Sequence, residues 1–324
     1  MELIRGIHNI KPRHRGCVLT IGNFDGVHQG HHAVLVRLQE KAVQLGLPAC
    51  VMLFEPQPLE LFAGDAAPAR LSRWREKYEA LKGMQIDRML CVRFTHRFAE
   101  QAASTFIEQL LVEKLGVHYL VVGDDFRFGK GREGDFHLLE AAGRRFGFEV
   151  ISTQSFQVER QRVSSTLVRE ALAAGRMAEV ELMLGRPYAI SGRVAHGDKL
   201  GRTIGFPTAN LALKRQVIPV GGVFAVEVLC SGKTFPGVAN VGVRPTLSGT
   251  QARLEVHLFD FSGDLYGQQV KVLLRHKLRE EQKFASFTAL KEQIERDALA
   301  ARAWFGLPPF NLPSTLLEKK GTQD

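Results

Sequence analysis

Cys17-Val18-Leu19-Thr20-Ile21-Gly22-Asn23-Phe24-Asp25-Gly26-Val27-His28-Gln29-Gly30-His31 decides the first fold of this chain. Five residues of strand character end in Gly22. A turn carrying Gly26 follows, and then the helix-like run His32-Ala33-Val34-Leu35-Val36-Arg37-Leu38. Strand, glycine-rich turn and helix in that order place backbone N–H groups and a positive helix end where a phosphate can bind. His28 and His31 lie three residues apart and face one side of the helix start. Two imidazoles beside such a turn suit nucleotide chemistry, but also a metal or a plain capping role. No third ligand stands at a telling spacing, and His32 points off the face.

Outward from this unit, residues 15–163 alternate between the two periodicities. Runs 17–21, 49–54, 88–94, 119–122 and 148–152 read as strands, and 33–45, 73–82 and 102–115 as helices. Such alternation predicts a parallel sheet with helices on both faces. Ligands in these folds bind beyond the carboxyl ends of the strands. Asn23, Glu55 and Asp124 each follow an apolar run and so share one candidate cleft. Ser164-Ser165-Thr166 then supplies N-cap residues for a helix over 167–174.

Gly185-Arg186-Pro187 marks a boundary. Beyond it, short β-like runs at 188–194, 222–229, 235–241, 253–261 and 270–274 are separated by glycine and proline turns. This predicts an antiparallel barrel or sandwich, followed by a helix over 286–304 and a polar, disordered end at 318–324. The expected domains are 1–185 and 186–310, with a tail over 311–324.

The chain has 324 residues, which allows two cores. Its 45% hydrophobic and 24% charged content is that of a soluble globular protein. Net charge is +9, with the basic residues spread along the chain. That favours small anionic ligands over a polymer partner. Cys17, Cys50, Cys91 and Cys230 form no CxxC pair, so reduced thiols are expected rather than a zinc site or a disulfide framework. Residues 1–10 lack the apolar run of a signal peptide, and no stretch approaches eighteen apolar residues. The expected compartment is the cytoplasm.

Four further segments carry candidate chemistry. In Gly123-Asp124-Asp125-Phe126-Arg127-Phe128-Gly129-Lys130 the acids can orient ribose or magnesium and the bases can meet phosphate; a plain turn is the competing reading. Ser165, Thr166 and Arg169 offer hydroxyls and a guanidinium at a helix start. Gly201-Arg202-Thr203-Ile204-Gly205-Phe206-Pro207-Thr208-Ala209-Asn210 is a basic glycine loop without the P-loop pattern, and its hydroxyl and amide oxygens suit magnesium on a nucleotide. In Arg253-Leu254-Glu255-Val256-His257-Leu258, period two sets Leu254, Val256 and Leu258 on one face and Glu255 with His257 on the other. Glu255 is then placed either as a general base or as a solvent-facing strand residue.

Together these motifs resemble the bacterial bifunctional riboflavin kinase/FMN adenylyltransferase (FAD synthetase) family. GNFDGVHQGH, FEPQP, VGDDFRFG, VSSTLVR, GRPY, GRTIGFPTANL, GVANVGVRPT and LEVHLFDF with DLYG occur in the family's order, from about residue 16 to 304. The resemblance implies a Rossmann-like HxGH nucleotidyltransferase domain and a small antiparallel β-barrel kinase domain with a C-terminal helix. The first would transfer AMP from ATP to FMN, with Gly22, Asn23, Phe24, His28, His31, Asp125, Ser165, Thr166 and Arg169 at the ATP. The second would move the γ-phosphoryl group of ATP to riboflavin. There Thr208 and Asn210 would hold Mg–ATP, Gly201 and Arg202 would cover the phosphates, and Glu255 would be the base. Phe54, Pro56, Pro58, Asp264, Tyr266 and Arg279 are the flavin candidates. Val168 and Phe224 stand where the family more often has Ile and Tyr, and both swaps keep apolar character.

The implied partners are riboflavin, FMN and ATP, with magnesium and without nucleic acid or membrane. Two alternatives stand beside this reading. One is a single-activity adenylyltransferase like those acting on pantetheine phosphate. The other is a nucleic-acid-binding protein, which predicts a concentrated basic and aromatic surface.

Overall fold

The computed structural model describes residues 1–153, 163–195, 205–213, 217–246 and 249–310. The expected loop residues Gly201 and Arg202 and the tail over 311–324 lie outside them. The chain divides into two compact units. One comprises Met1–Arg169 with Met183–Gly185, and the other Glu170–Leu182 with the residues from Arg186 on.

The first unit is built on strands β1 (Glu2–Arg5), β2 (Cys17–Ile21), β3 (Ala49–Glu55), β4 (Arg88–Arg93), β5 (Val117–Val122) and β6 (Glu149–Ser152). They form one sheet of order β1-β4-β3-β2-β5-β6, parallel throughout. Every β2 residue is buried, as a strand covered on both faces requires. Alternate residues feed two apolar layers. Leu19, Met52, Leu90 and Leu120 pack on one face with Phe106 and Leu110. Val18, Val51, Met89 and Val121 pack on the other with Leu35, Leu38 and Leu81. The order reverses between β2 and β5, which makes the ends of these two strands the crevice of the fold.

The sequence expectation differs in several places. The N-terminal residues form edge strand β1, too short to show a period. Phe136–Phe146 is a helix, capped when Asp135 accepts from the Leu138 N–H at 2.9 Å. Residues expected as one α-helix over 102–115 wind from Phe106 to Lys114 as a π-helix. There the Leu115 N–H donates five residues back, to the Leu110 carbonyl at 3.0 Å.

The second unit is a closed barrel rather than a sandwich. Its strands are β7 (Tyr188–Ala195), β8 (Ala209–Ala212), β9 (Gly222–Cys230), β10 (Lys233–Thr246), β11 (Gly249–Leu258) and β12 (Gln269–Arg279). They pair antiparallel in the order β10-β11-β8-β7-β12-β9. Leu254, Val256 and Leu258 are buried, as period two predicts. The helix Phe287–Trp304 begins where Ser286 accepts from the Ala289 N–H at 3.1 Å. It buries Ala298 and Ala301 against Val223, Ala225 and Val238. Met177–Leu184 is another helix that short apolar periodicity left unread.

Candidate active sites

In the first unit the quoted stretch leaves β2 at Ile21 and enters the helix Gln29–Leu45 with His28 as N-cap. The His28 Nδ1 accepts from the His31 N–H at 3.4 Å, and the His31 Nδ1 accepts from the His28 N–H at 3.3 Å. Their rings stack with centroids 3.7 Å apart, and Phe24 lies 4.9 Å from the His31 ring. Both Nδ1 atoms accept, so each neutral ring carries its proton on Nε2 and presents a donor there. Burial pushes the His31 imidazole well below its ordinary range, and the neighbouring His28 and Lys77 act in the same direction by disfavouring a second positive charge. The capping role and the expected pairing of the two imidazoles therefore coincide.

The turn itself is held in strained backbone. Phe24 and Val27 have φ of 47° and 42°, conformations that side chains rarely adopt. Asp25 anchors them from below. Its buried carboxylate accepts from the Leu71 and Ser72 N–H groups, both at 3.0 Å, and from the Arg169 Nη2 at 2.6 Å. Lys77, wholly buried, donates to the Asn23 carbonyl at 2.6 Å. Burial lowers its ammonium below the usual lysine range, against the pull of Asp25.

Ser165 and Thr166 open the helix Ser165–Ala173, which starts two residues before the expected 167, and Ser164, among the expected caps, accepts from the Leu167 N–H at 3.3 Å. The Ser165 hydroxyl donates to the Asp25 carbonyl at 3.0 Å. A Cβ on Gly30 would stand 2.9 Å from the Val163 carbonyl. The starts of two helices therefore meet at one spot, where their N–H groups and dipoles add. Arg169 is occupied structurally, with Nε on the Ala69 carbonyl at 2.6 Å and Nη2 on Asp25. Asp125 is exposed just beyond β5, across the crevice from Gly22.

Of the flavin candidates here, Phe54 is buried against Phe94 and Phe98, with ring centroids at 5.5 and 5.9 Å. Pro56 and Pro58 are half-buried at the end of β3 and the start of the helix Pro58–Ala63. Glu55 is held by Arg70 Nη2 at 2.7 Å, and Arg70 also grips Glu60. Sequence reasoning missed Asp25, Arg70 and Lys77, and the exposed Phe62, which meets Phe94 edge-on at 6.0 Å. Lys77 gave one signal, a lysine on the helical stripe of Trp74 and Leu81.

In the barrel, Glu255 on β11 stands directly opposite Asn210 on β8. Arg253, which sequence reasoning left without a role, joins them. Its Nη2 lies 2.7 Å from Glu255 Oε1 and 2.8 Å from Asn210 Oδ1, and its Nε donates to the same amide oxygen at 3.1 Å. His257 Nδ1 meets the Pro207 carbonyl at 3.0 Å, beside Thr208. Burial also lowers the His257 imidazole below its ordinary range.

Thr208 borders a cavity of about 420 Å³ lined by Val194, Pro207, Ala209, Leu258, Asp264, Leu265 and Tyr266 among others. Asp264 and Tyr266, expected at the flavin, thus lie with Thr208. Arg279 lies elsewhere: its guanidinium holds the buried Asp297 of the C-terminal helix at 2.7 and 2.9 Å. Thr208 and Asn210 offer neutral hard oxygens beside a carboxylate, a donor set that suits a phosphate-bound magnesium ion. Among the described residues no group of three His, Cys, Asp or Glu could hold a metal, and no helix is long and apolar enough to cross a membrane.

Comparison with known proteins agrees with this division. The FAD synthetase family model matches residues 10–167, and the riboflavin kinase family model matches residues 184–305. A bifunctional riboflavin kinase/FMN adenylyltransferase of Escherichia coli (strain K12) is 60% identical over 309 residues, covering 95% of this chain and 99% of the relative. One from Pseudomonas fluorescens is 54% identical over 304 residues, covering 94% and 97%. A crystal structure from Streptococcus pneumoniae, described as that of a macrolide-efflux protein, superposes with a TM-score of 0.78 at 31% identity, covering 94% of this chain and all of that one. The chain belongs to the bifunctional riboflavin kinase/FMN adenylyltransferase family.

Proposed function

We propose that the barrel phosphorylates riboflavin to FMN and that the parallel-sheet unit adenylylates FMN to FAD. The observation that carries this reading is that each unit holds its own constellation: the His28–His31 pair at two helix starts, and Glu255 with Asn210 across one strand pair.

In the barrel, the riboflavin 5′-hydroxyl attacks the γ-phosphorus of ATP. Glu255 accepts the hydroxyl proton and ADP departs. Arg253 fixes the carboxylate and the Asn210 amide together, so the base and the nucleotide site share one orientation. Thr208 and Asn210 would hold the metal of Mg–ATP, which neutralises phosphate charge. Asp264 and Tyr266 fit the nucleotide side, since they share the Thr208 cavity.

In the first unit, a phosphate oxygen of FMN attacks the α-phosphorus of ATP and pyrophosphate leaves. His28 and His31 donate from Nε2 to the phosphates, and the helix start carrying Ser165 and Thr166 receives the departing pyrophosphate. Gly22, Asn23 and Phe24 line the turn, and Asp125 meets the nucleotide from across the crevice. Arg169 acts through Asp25 as a positioning residue. The exposed Phe62, beside the half-buried Pro56 and Pro58, gives surface for the flavin ring. Four unpaired cysteines fit a reducing cytoplasm.

The test is to incubate the protein with riboflavin, ATP and magnesium and resolve the flavins by chromatography. FMN and FAD are expected. Neither product would overturn the reading, and FAD from added FMN without FMN from riboflavin would leave a single-activity adenylyltransferase.

A further inference from the structure

Strand register sets five residues in one row around the barrel: Asn210, Glu255, Asn240, Val223 and Arg279. Residues directly opposed on antiparallel neighbours share a face, with Cβ atoms about 5 Å apart. Glu255 therefore has Asn210 on one flank and Asn240 on the other.

The two flanks differ in chemistry. Toward β8, Arg253 occupies both Glu255 and the Asn210 amide oxygen, and the Thr208 cavity follows. Toward β10, the Asn240 Oδ1 is buried with no hydrogen-bond partner among the described residues. Buried polar groups are normally paired, so an unpaired one beside a general base needs an explanation. Gly242, two residues on and facing the same way, lies under Glu281: a Cβ there would be 2.1 Å from its carboxylate oxygen. The nucleotide flank is thus filled by a cation and a metal-ligand amide, and the opposite flank offers an amide awaiting a neutral polar partner.

We propose that Asn240 binds the acceptor alcohol. Turning about its last side-chain torsion, which is broad for Asn, its amide hydrogen-bonds the hydroxyl chain of riboflavin and holds the terminal hydroxyl against Glu255. This rests on the kinase reading of the barrel.

The test is steady-state kinetics of riboflavin phosphorylation by the full chain carrying Asn240→Ala, with riboflavin and lumiflavin binding followed by flavin fluorescence. Lumiflavin has the ring system but no hydroxyl chain. The expected result is a KM for riboflavin raised about tenfold, with the KM for ATP and lumiflavin binding each within about twofold of wild type. An unchanged KM for riboflavin, an equal rise for both substrates, or equal weakening of lumiflavin would overturn it. Calorimetric binding of Mg–ADP reports whether the barrel is folded, and Asn240→Val, suited to a strand, replaces the alanine variant if that one does not fold. A wild-type chain that makes no FMN would remove the kinase reading itself; a normal wild type with an unaltered variant removes only the role of Asn240.

Discussion

His28 and His31 cap one another: each Nδ1 accepts from the other's backbone N–H, at 3.4 and 3.3 Å, while their rings stack at 3.7 Å. The arrangement turns a helix N-cap into a paired donor. It also settles the tautomer of both rings without a carboxylate, so neutral imidazoles suffice to face a phosphate.

This gives the first prediction, a pH dependence. The folded-state affinity of His31 for a proton lies below that of an unfolded histidine, first through burial. Above about pH 6.5 both states are neutral and stability is full. As pH falls through that value, the unfolded chain takes up the proton first, and stability is lost down to the folded titration. His257 adds the same sign in the barrel. Melting temperature should therefore be level above about pH 6.5 and decline below it. His31→Asn should make the decline shallower; an unchanged slope would show that His31 does not contribute.

Lys77 sets the second. It is wholly buried and donates to the Asn23 carbonyl at 2.6 Å. Lys77→Met keeps most of the volume, so stability should fall less than in Lys77→Ala, where a cavity costs about 2–4 kcal/mol. FAD formation should drop about tenfold or more in both variants, because the turn loses its fixed geometry. FMN formation from riboflavin should not change.

Gly30 is a steric test of the two helix starts. A Cβ at 2.9 Å from the Val163 carbonyl forces the segment carrying Ser165 away. Gly30→Ala should slow adenylylation about tenfold. Helix propensity works in the other direction, by up to about 1 kcal/mol, so the melting temperature should hold while kcat/KM falls. Full activity in this variant would argue against a shared phosphate site.

Asp25 and Arg169 form the fourth, a double-mutant cycle. Their 2.6 Å pair is mostly buried, and the backbone N–H groups of Leu71 and Ser72 share the carboxylate. Arg169→Met should cost about 2–4 kcal/mol in denaturant unfolding, since it leaves a buried charge short of its partner. The coupling with Asp25→Asn should exceed about 1 kcal/mol.

Much of this geometry could be read in advance, and the exceptions have physical causes. The strand at 17–21 was legible because apolar β-branched residues stop at a glycine, and β11 because its period of two separates Leu254 from Glu255. β8 was not, since Ala209–Ala212 is four residues long and holds Asn210 beside a proline turn. The helix over 102–115 was legible as a helix but not as a π-helix, which depends on packing rather than on periodicity. At the sites, His28, His31 and Glu255 carried their own chemistry. Asp25, Lys77 and Arg253 act by holding other residues, and such a role depends on tertiary partners. The tie between Arg253 and Asn210 spans 43 residues of sequence.

In this reading two separate sites serve two reactions. The most direct measurement assays FMN formation from riboflavin and FAD formation from supplied FMN, in His31→Ala and in Glu255→Ala. His31→Ala should lose FAD formation by about a hundredfold or more and keep FMN formation; Glu255→Ala should lose FMN formation and keep FAD formation. A folded variant of either kind that loses both activities would contradict the account.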